Sequence, residues 1–158
     1  MNHRKIILEI LVVVLVITVA AFAQPQGRVA VISDFNGKVD IRIEKDKSWY
    51  PAVLGLVLHE GDIVRTGADS ILKLNLDGQE KTAVVLIKEK SELLIAELIK
   101  IEDSGEDKTL LDLAIGKIFI EVDKLRDPEA KFEVKTPTSM VGVRGTEFSV
   151  EVNNLNEL

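Results

Sequence analysis

The side chains that could carry out chemistry are few in this sequence. His59 is the one histidine after residue 23, in the turn-like run Leu-His-Glu-Gly. A Ser/His/Asp hydrolase site would have to use it, and no serine lies in a nucleophile motif. Two carboxylates could serve a glycosidase, but no spacing singles out such a pair. We therefore interpret His59 as a solvated turn residue and predict that the chain is not an enzyme.

Metal and cofactor chemistry has little support in the residue types. The chain has no cysteine, which excludes disulfides, thiolate metal sites and cysteine nucleophiles. The run Asp-Phe-Asn-Gly at 34–37 begins like a calcium loop, but its glycine comes too early and no bidentate glutamate follows. The acidic run 102–107 could bind Ca²⁺ weakly, although a solvated hairpin tip is the simpler interpretation. We predict no metal and no cofactor.

Two charged residues lie in short glycine-containing runs. Asp62 follows Gly61 and is placed to accept backbone N–H groups within its turn. Arg144 is flanked by glycines and by apolar Val143, and a buried unpaired charge is costly. We expect Arg144 to pair with a carboxylate, with Asp62 and Asp69 as candidates, and to have a structural role.

Trp49 and Tyr50 are the only tryptophan and the only tyrosine. Exposed aromatic residues often mark contacts with proteins or sugars, so both are candidate partner contacts; packing at a sheet edge is the alternative. If they lay on a concave polar face, the chain would be an envelope carbohydrate- or peptidoglycan-binding module.

The N-terminus has the pattern of an export signal. A basic start, Arg4-Lys5, precedes an apolar run, and Ala21-Phe22-Ala23 predicts cleavage before Gln24. The alternative is a retained anchor, because residues 6–23 approach the roughly 20 apolar residues of a membrane span. Both alternatives place the rest of the chain outside the cytoplasm, either periplasmic or secreted, or anchored in the inner membrane. The net charge of -6 disfavours nucleic acid as a partner.

The remaining chain has the periodicity of strands. Val39 and Ile41 alternate with polar residues, and turn signals recur at 34–37 and at Asp77-Gly78. Residues 93–101 fit either a helix or a strand, and their β-branched content favours a strand. We expect residues 83–87 to be buried on both faces and Gly116 to make a turn. This predicts an all-β, jelly-roll-like β-sandwich of about ten to twelve short strands.

The predicted domain boundaries follow from these patterns. They are a signal peptide or anchor at 1–23, a linker at 24–28, a β domain at 29–152 and a polar tail at 153–158.

Two of the motifs resemble those of the FecR domain family. They are Gly-Asp-Ile-Val-Arg-Thr-Gly at 61–67, and Thr136-Pro137 followed by Val-Arg-Gly-Thr-Glu-Phe at 143–148. Gly-Lys-Val at 37–39, the run 49–52 and the strand pair around Gly116 stand in the order of that family. The residues carried over as the structural motif are Gly61, Asp62, Thr66, Gly67, Thr136, Pro137, Arg144, Gly145, Thr146 and Phe148.

The resemblance implies a jelly-roll-like domain in the periplasm. The best-known members sit in the inner membrane and relay a signal from an outer-membrane receptor to a cytoplasmic sigma factor. Only Met1 to Lys5 precede the apolar run here, so we expect no sigma-factor-binding region, and we expect no further receptor-facing domain. The predicted function is a non-catalytic protein-interaction or sensing module of the cell envelope, with an envelope protein as its partner.

Overall fold

The structure, a computed structural model, describes residues 27–77, 83–99, 107–122, 131–143 and 146–153. These residues form twelve strands, which confirms the predicted all-β fold and the strand at 93–99. No helix of the described ranges is long and apolar enough to cross a bilayer. The predicted signal segment, most of the acidic run and nearly all of the polar tail lie outside the described residues.

The strands are β1 (Ala30–Asn36), β2 (Val39–Arg42), β3 (Tyr50–Pro51), β4 (Val57–Leu58), β5 (Ile63–Thr66), β6 (Ile71–Leu76), β7 (Ala83–Ile87), β8 (Glu92–Ile99), β9 (Lys108–Val122), β10 (Lys131–Lys135), β11 (Met140–Val143) and β12 (Thr146–Val152).

The strands form two halves of one folded sheet. Sheet A has the order β4-β1-β6-β7-β9-β12, and sheet B has the order β3-β2-β5-β8-β9-β10-β11. All pairs are antiparallel except β9 with β10. Inward residues of both sheets join one core, for example Leu74 of sheet A and Leu93 of sheet B, each fully buried. The core is almost entirely aliphatic because the sequence has few aromatic residues.

Strand β9 belongs to both sheets. Its first part pairs with β8 and β10, and its second part pairs with β7 and β12. The strand passes from sheet B to sheet A at Gly116, whose φ of 95° only glycine adopts at low energetic cost. A Cβ at this position would also collide with Ser91. The predicted turn at Gly116 is therefore wrong: the glycine bends one continuous strand from sheet B into sheet A.

Four crossings between the sheets stack side by side, and we call this stack the seam. It consists of Gly37–Lys38, Gly67–Ser70, Lys88–Ser91 and Gly116–Lys117. Hydrogen bonds link each crossing to the next: Lys38 N–H to Ser70 Oγ (2.9 Å), Gly67 N–H to Lys38 O (2.8 Å), Lys90 N–H to Gly67 O (3.0 Å) and Lys117 N–H to Ser91 Oγ (3.0 Å). The seam thus satisfies backbone groups that the ladders leave unpaired where the chain changes sheets.

The predicted hairpin at 34–37 is wrong, and the seam gives the reason. β1 pairs with β4 and β6, whereas β2 pairs with β3 and β5. Gly37 has the positive φ that such a turn requires, 82°, but it serves a crossing between sheets. The second turn signal at Asp77 does join paired neighbours, β6 and β7.

The outer face of β7 also differs from expectation. Ala83, Val85 and Ile87 are buried, but Val84 and Leu86 are only half-buried. The expected burial on both faces is therefore wrong, because these side chains lie on the outer face of sheet A.

Arg28 fastens the first described residues to the sandwich. Its side chain, 6% exposed, donates two hydrogen bonds to the Asp77 carboxylate (2.8 and 2.9 Å) and one to Thr109 Oγ1 (2.8 Å). The contact connects the start of β1 to the end of β6 and the start of β9. No local sequence pattern predicts this role for Arg28, since its partners are 49 and 81 residues away.

Candidate interaction surface

The Gly61–Gly67 motif begins with a turn that Asp62 organises. Gly61 has a φ of 89°, and a Cβ there would meet the side chain of Glu44. Asp62 is 3% exposed, and its two carboxylate oxygens accept the N–H groups of His59 (2.8 Å) and Glu44 (3.0 Å). Both oxygens thus serve the backbone of the turn and the end of β2.

The same motif ends at the seam. Thr66 is buried, and its hydroxyl donates to Lys88 O (2.5 Å) and accepts from Ser91 N–H (3.0 Å). Gly67 is packed so closely that a Cβ would lie 3.3 Å from Cβ of Lys38. Thr66 and Gly67 therefore connect three crossings of the seam: Gly37–Lys38, Gly67–Ser70 and Lys88–Ser91.

The second motif surrounds the turn from β10 to β11 and the start of β12. Thr136 is buried and its Oγ1 accepts the N–H of Ser139 (3.0 Å), whereas Pro137 is exposed. Phe148 is half-buried and meets Phe132 edge to face, with ring centroids 6.4 Å apart. The backbone of Thr146 pairs with Val122.

Arg144 and Gly145 lie outside the described residues, so the carboxylate partner expected for Arg144 stays a prediction. Of its two candidate partners, Asp62 already accepts two backbone N–H groups. The N–H of the other candidate, Asp69, is bonded to Glu89 (2.7 Å).

Trp49 lies against two arginines on the outer face of sheet B. The guanidinium of Arg65 is 3.8 Å from the centroid of the indole ring, and that of Arg42 is 5.3 Å away. Both contacts are cation–π interactions. The half-buried Trp49 ring is therefore in contact with two guanidinium groups.

Tyr50 is 45% exposed and its hydroxyl donates to Asp46 Oδ2 (2.5 Å). This hydrogen bond lowers the pKa of Asp46 and, together with the charge of the carboxylate, raises the pKa of Tyr50 from its ordinary value of 10.0. The pair restrains the turn between β2 and β3 rather than presenting a free hydroxyl.

His59 is exposed, and its backbone N–H is the group that donates to Asp62. In the described parts of the chain, no three histidine or acidic residues come together in a way that could hold a metal ion.

A groove of about 810 Å³ separates β11 from β12. We call it the edge groove; it is lined by Ala114, Ile115, Thr136, Pro137, Thr138, Ser139, Val141, Ser149, Val150, Glu151, Val152 and Asn153. β11 is an edge of sheet B and β12 an edge of sheet A, and among the described residues each pairs with one strand only. The groove cannot be predicted from the sequence, because no local pattern tells which strands end a sheet.

A second, smaller groove of about 440 Å³ lies on the outer face of sheet A. Val84, Leu86 and Phe119 form its apolar part, and Phe119 is 40% exposed. The ammonium groups of Lys88 and Lys117 lie 5.4 and 5.3 Å from the centroid of the Phe119 ring. The two lysines therefore cover part of the apolar surface.

Comparison with known proteins gives one match. The family model described as FecR protein matches residues 62–156, more than half of the chain. The matched range begins at Asp62 and includes β5 to β12, hence the edge groove and most of the seam. No curated protein and no solved structure matches the chain.

Proposed function

Because the chain belongs to the FecR family, we propose that it is a non-catalytic protein-interaction or sensing module of the cell envelope, acting in envelope signalling. The observation that carries the proposal is the family match over residues 62–156. FecR domains are typical of periplasmic signalling proteins. The partner of such a module is an envelope protein.

The use of the polar motif residues supports interaction rather than catalysis. Asp62, Thr66 and Thr136 direct their side chains to backbone groups of the domain itself. The surface instead offers large apolar side chains, including Leu54 (64% exposed) and Met140 (58% exposed). Covering such side chains with a partner removes apolar surface from water, which favours association.

The proposed location rests on the N-terminal sequence. Residues 1–23 direct export, either as a cleaved signal or as a retained inner-membrane anchor, followed by a linker at 24–28, the β domain at 29–152 and a tail at 153–158. Fusing alkaline phosphatase after residue 158 tests the topology, since this enzyme is active only outside the cytoplasm. N-terminal sequencing of the mature protein distinguishes cleavage before Gln24 from retention. An inactive fusion would refute the envelope location.

Affinity capture tests the interaction. The full chain with a C-terminal tag is recovered from a detergent-solubilised envelope extract, and bound material is identified by mass spectrometry against a tag-only control. We expect one envelope protein to be enriched in proportion to the bait. Capture of cell-wall glycan without protein would contradict the proposal, above all if Trp49→Ala abolished it, because loss of the aromatic ring would remove a sugar platform.

A further inference from the structure

We infer that the edge groove receives an extended, uncharged peptide segment of the partner, which pairs with the edge of β12 that no other described strand occupies. This inference rests on the proposed function and names the surface and the kind of segment that it uses.

The first support is that the groove follows an edge and not a face. Five consecutive residues, 149–153, line it. Val141 lies on β11 and residues 149–152 lie on β12, and among the described residues each of these two strands pairs with one neighbour only. The groove therefore lies beside the outer edge of β12, where backbone N–H and C=O groups face away from β9. Such an edge binds an extended peptide by adding a strand.

The opposite wall lacks the features that protect edges. β11 reads Met-Val-Gly-Val, with neither charge nor proline, and Met140 and Val141 are 58% and 38% exposed. A Cβ at Gly142 would have no atom within 4 Å, so this edge is also open to approach. Natural proteins usually guard an edge with a lysine, a proline or a bulge.

The lining also specifies the charge of the occupant. Among the described residues that line the groove, Glu151 alone carries a charge, and its carboxylate is 2.9 Å from Nζ of Lys117. The rest is apolar or carries hydroxyl groups, as at Thr138 and Ser149. A charged side chain entering here would lose hydration without gaining an ionic partner, so the segment is uncharged.

The size of the edge favours a short segment over a second copy of this chain. From Ser149 to Asn153 the strand spans four steps, about 13 Å, enough for four or five residues. A stable dimer buries about 800 Å² on each partner, far more than an edge of this length provides. A flexible segment of a larger partner needs only the edge.

The test uses the purified full chain in detergent and a synthetic probe, fluorescein-labelled Thr-Val-Thr-Val-Thr with an amidated C-terminus. We expect saturable binding by fluorescence anisotropy. The same peptide N-methylated at alternate residues, which removes backbone donors, should bind at least tenfold more weakly. Val141→Glu should weaken binding at least tenfold, and so should Ser149→Glu at an exposed serine, because both substitutions place a charge in the groove. Val53→Glu, at an exposed valine outside the groove, is the matched control and should bind like the wild type.

Disulfide capture locates the peptide independently. The chain has no cysteine, so Ser149→Cys creates a single thiol at the groove. A probe with a central cysteine should cross-link to it at least tenfold faster than to Lys47→Cys in the exposed turn before β3.

The inference would be overturned if the N-methylated peptide bound as tightly as the unmodified peptide, or if Val53→Glu weakened binding as much as Val141→Glu. A concentration-dependent dimer that Val141→Glu dissociates, without peptide binding, would assign the groove to a second copy instead. If Val141→Glu and Ser149→Glu still capture the wild-type envelope protein, the proposed function stands and the edge groove is not its site. If the chain binds the peptide but captures no envelope protein, the edge groove is a peptide-binding site and the proposed function is refuted.

Discussion

Replacing Thr66 with valine should destabilise the domain out of proportion to the change in shape. The substitution keeps the volume of a buried side chain but removes the hydroxyl that binds Lys88 O and Ser91 N–H at the seam. An unsatisfied buried polar group costs about 1–3 kcal/mol. Ser91 is 1% exposed, so its N–H would stay unsatisfied. Lys88 is half-buried, so the Lys88 carbonyl can bind a water instead. We therefore expect a total loss of about 2–4 kcal/mol in the free energy of unfolding.

Thr66→Ser is the matched control for this prediction. It keeps the hydroxyl and loses one methyl group, at a cost of about 0.8 kcal/mol. Urea unfolding followed by the fluorescence of the single tryptophan, Trp49, measures both variants. With a slope near 2 kcal/mol per molar urea, the valine variant should unfold about 1–2 M earlier than the wild type. If the serine variant were the less stable of the two, the methyl group and not the hydroxyl would hold the seam, and the reasoning would be refuted.

Three further predictions concern other contacts. Gly116→Ala should lower the free energy of unfolding by about 2–3 kcal/mol, measured by urea titration, because φ is 95° and the Cβ has no room. Arg28→Ala should lower the free energy of unfolding by about 3 kcal/mol in the same assay, because removing the buried guanidinium leaves the Asp77 carboxylate without its ionic partner. The ultraviolet titration of Tyr50, the only tyrosine, should have its midpoint above 10.0, because ionising the phenol would break a hydrogen bond beside a carboxylate and bring two negative charges together.

Each of these predictions has an internal control. Gly142→Ala, where a Cβ meets no atom, should change stability by less than about 0.5 kcal/mol, and an equal loss at both glycines would contradict the argument from φ. Arg28→Lys should recover only part of the stability, because a lysine cannot bind the carboxylate through two parallel hydrogen bonds; full recovery would mean that charge alone matters. Asp46→Asn should bring the midpoint for Tyr50 back toward 10.0, and an unchanged midpoint would exclude the carboxylate as the cause.

Patterns that depend on near neighbours were predicted well from the sequence. The alternation of Val39 and Ile41 gave β2 its inward face, and both residues are buried as expected. The β-branched content at 93–99 correctly favoured a strand. The turn expected at Gly61-Asp62 is present, and Gly61 has a φ of 89°, because positive φ is a local requirement that glycine meets.

Features that depend on distant partners could not be predicted. The sequence Asn36-Gly37 has the chemistry of a hairpin turn, but the strands that pair with β1 and β2 come later in the chain. Similarly, Thr66 binds residues 22 and 25 positions away, and Arg28 binds residues still more distant. The edge groove belongs to the same class, because an edge is defined only once all strands have found their neighbours.

The position of β9 in the chain has a consequence for synthesis. Without β9, the first eight strands form two separate four-stranded sheets, β4-β1-β6-β7 and β3-β2-β5-β8. The strand that joins them begins only at Lys108, about two thirds of the way along the chain. Until it emerges, β7 and β8 each present an unpaired edge rich in valine, leucine and isoleucine. A nascent chain of this protein is therefore prone to aggregation until a single late segment closes both edges together, and a truncation before residue 108 should accumulate in the insoluble fraction.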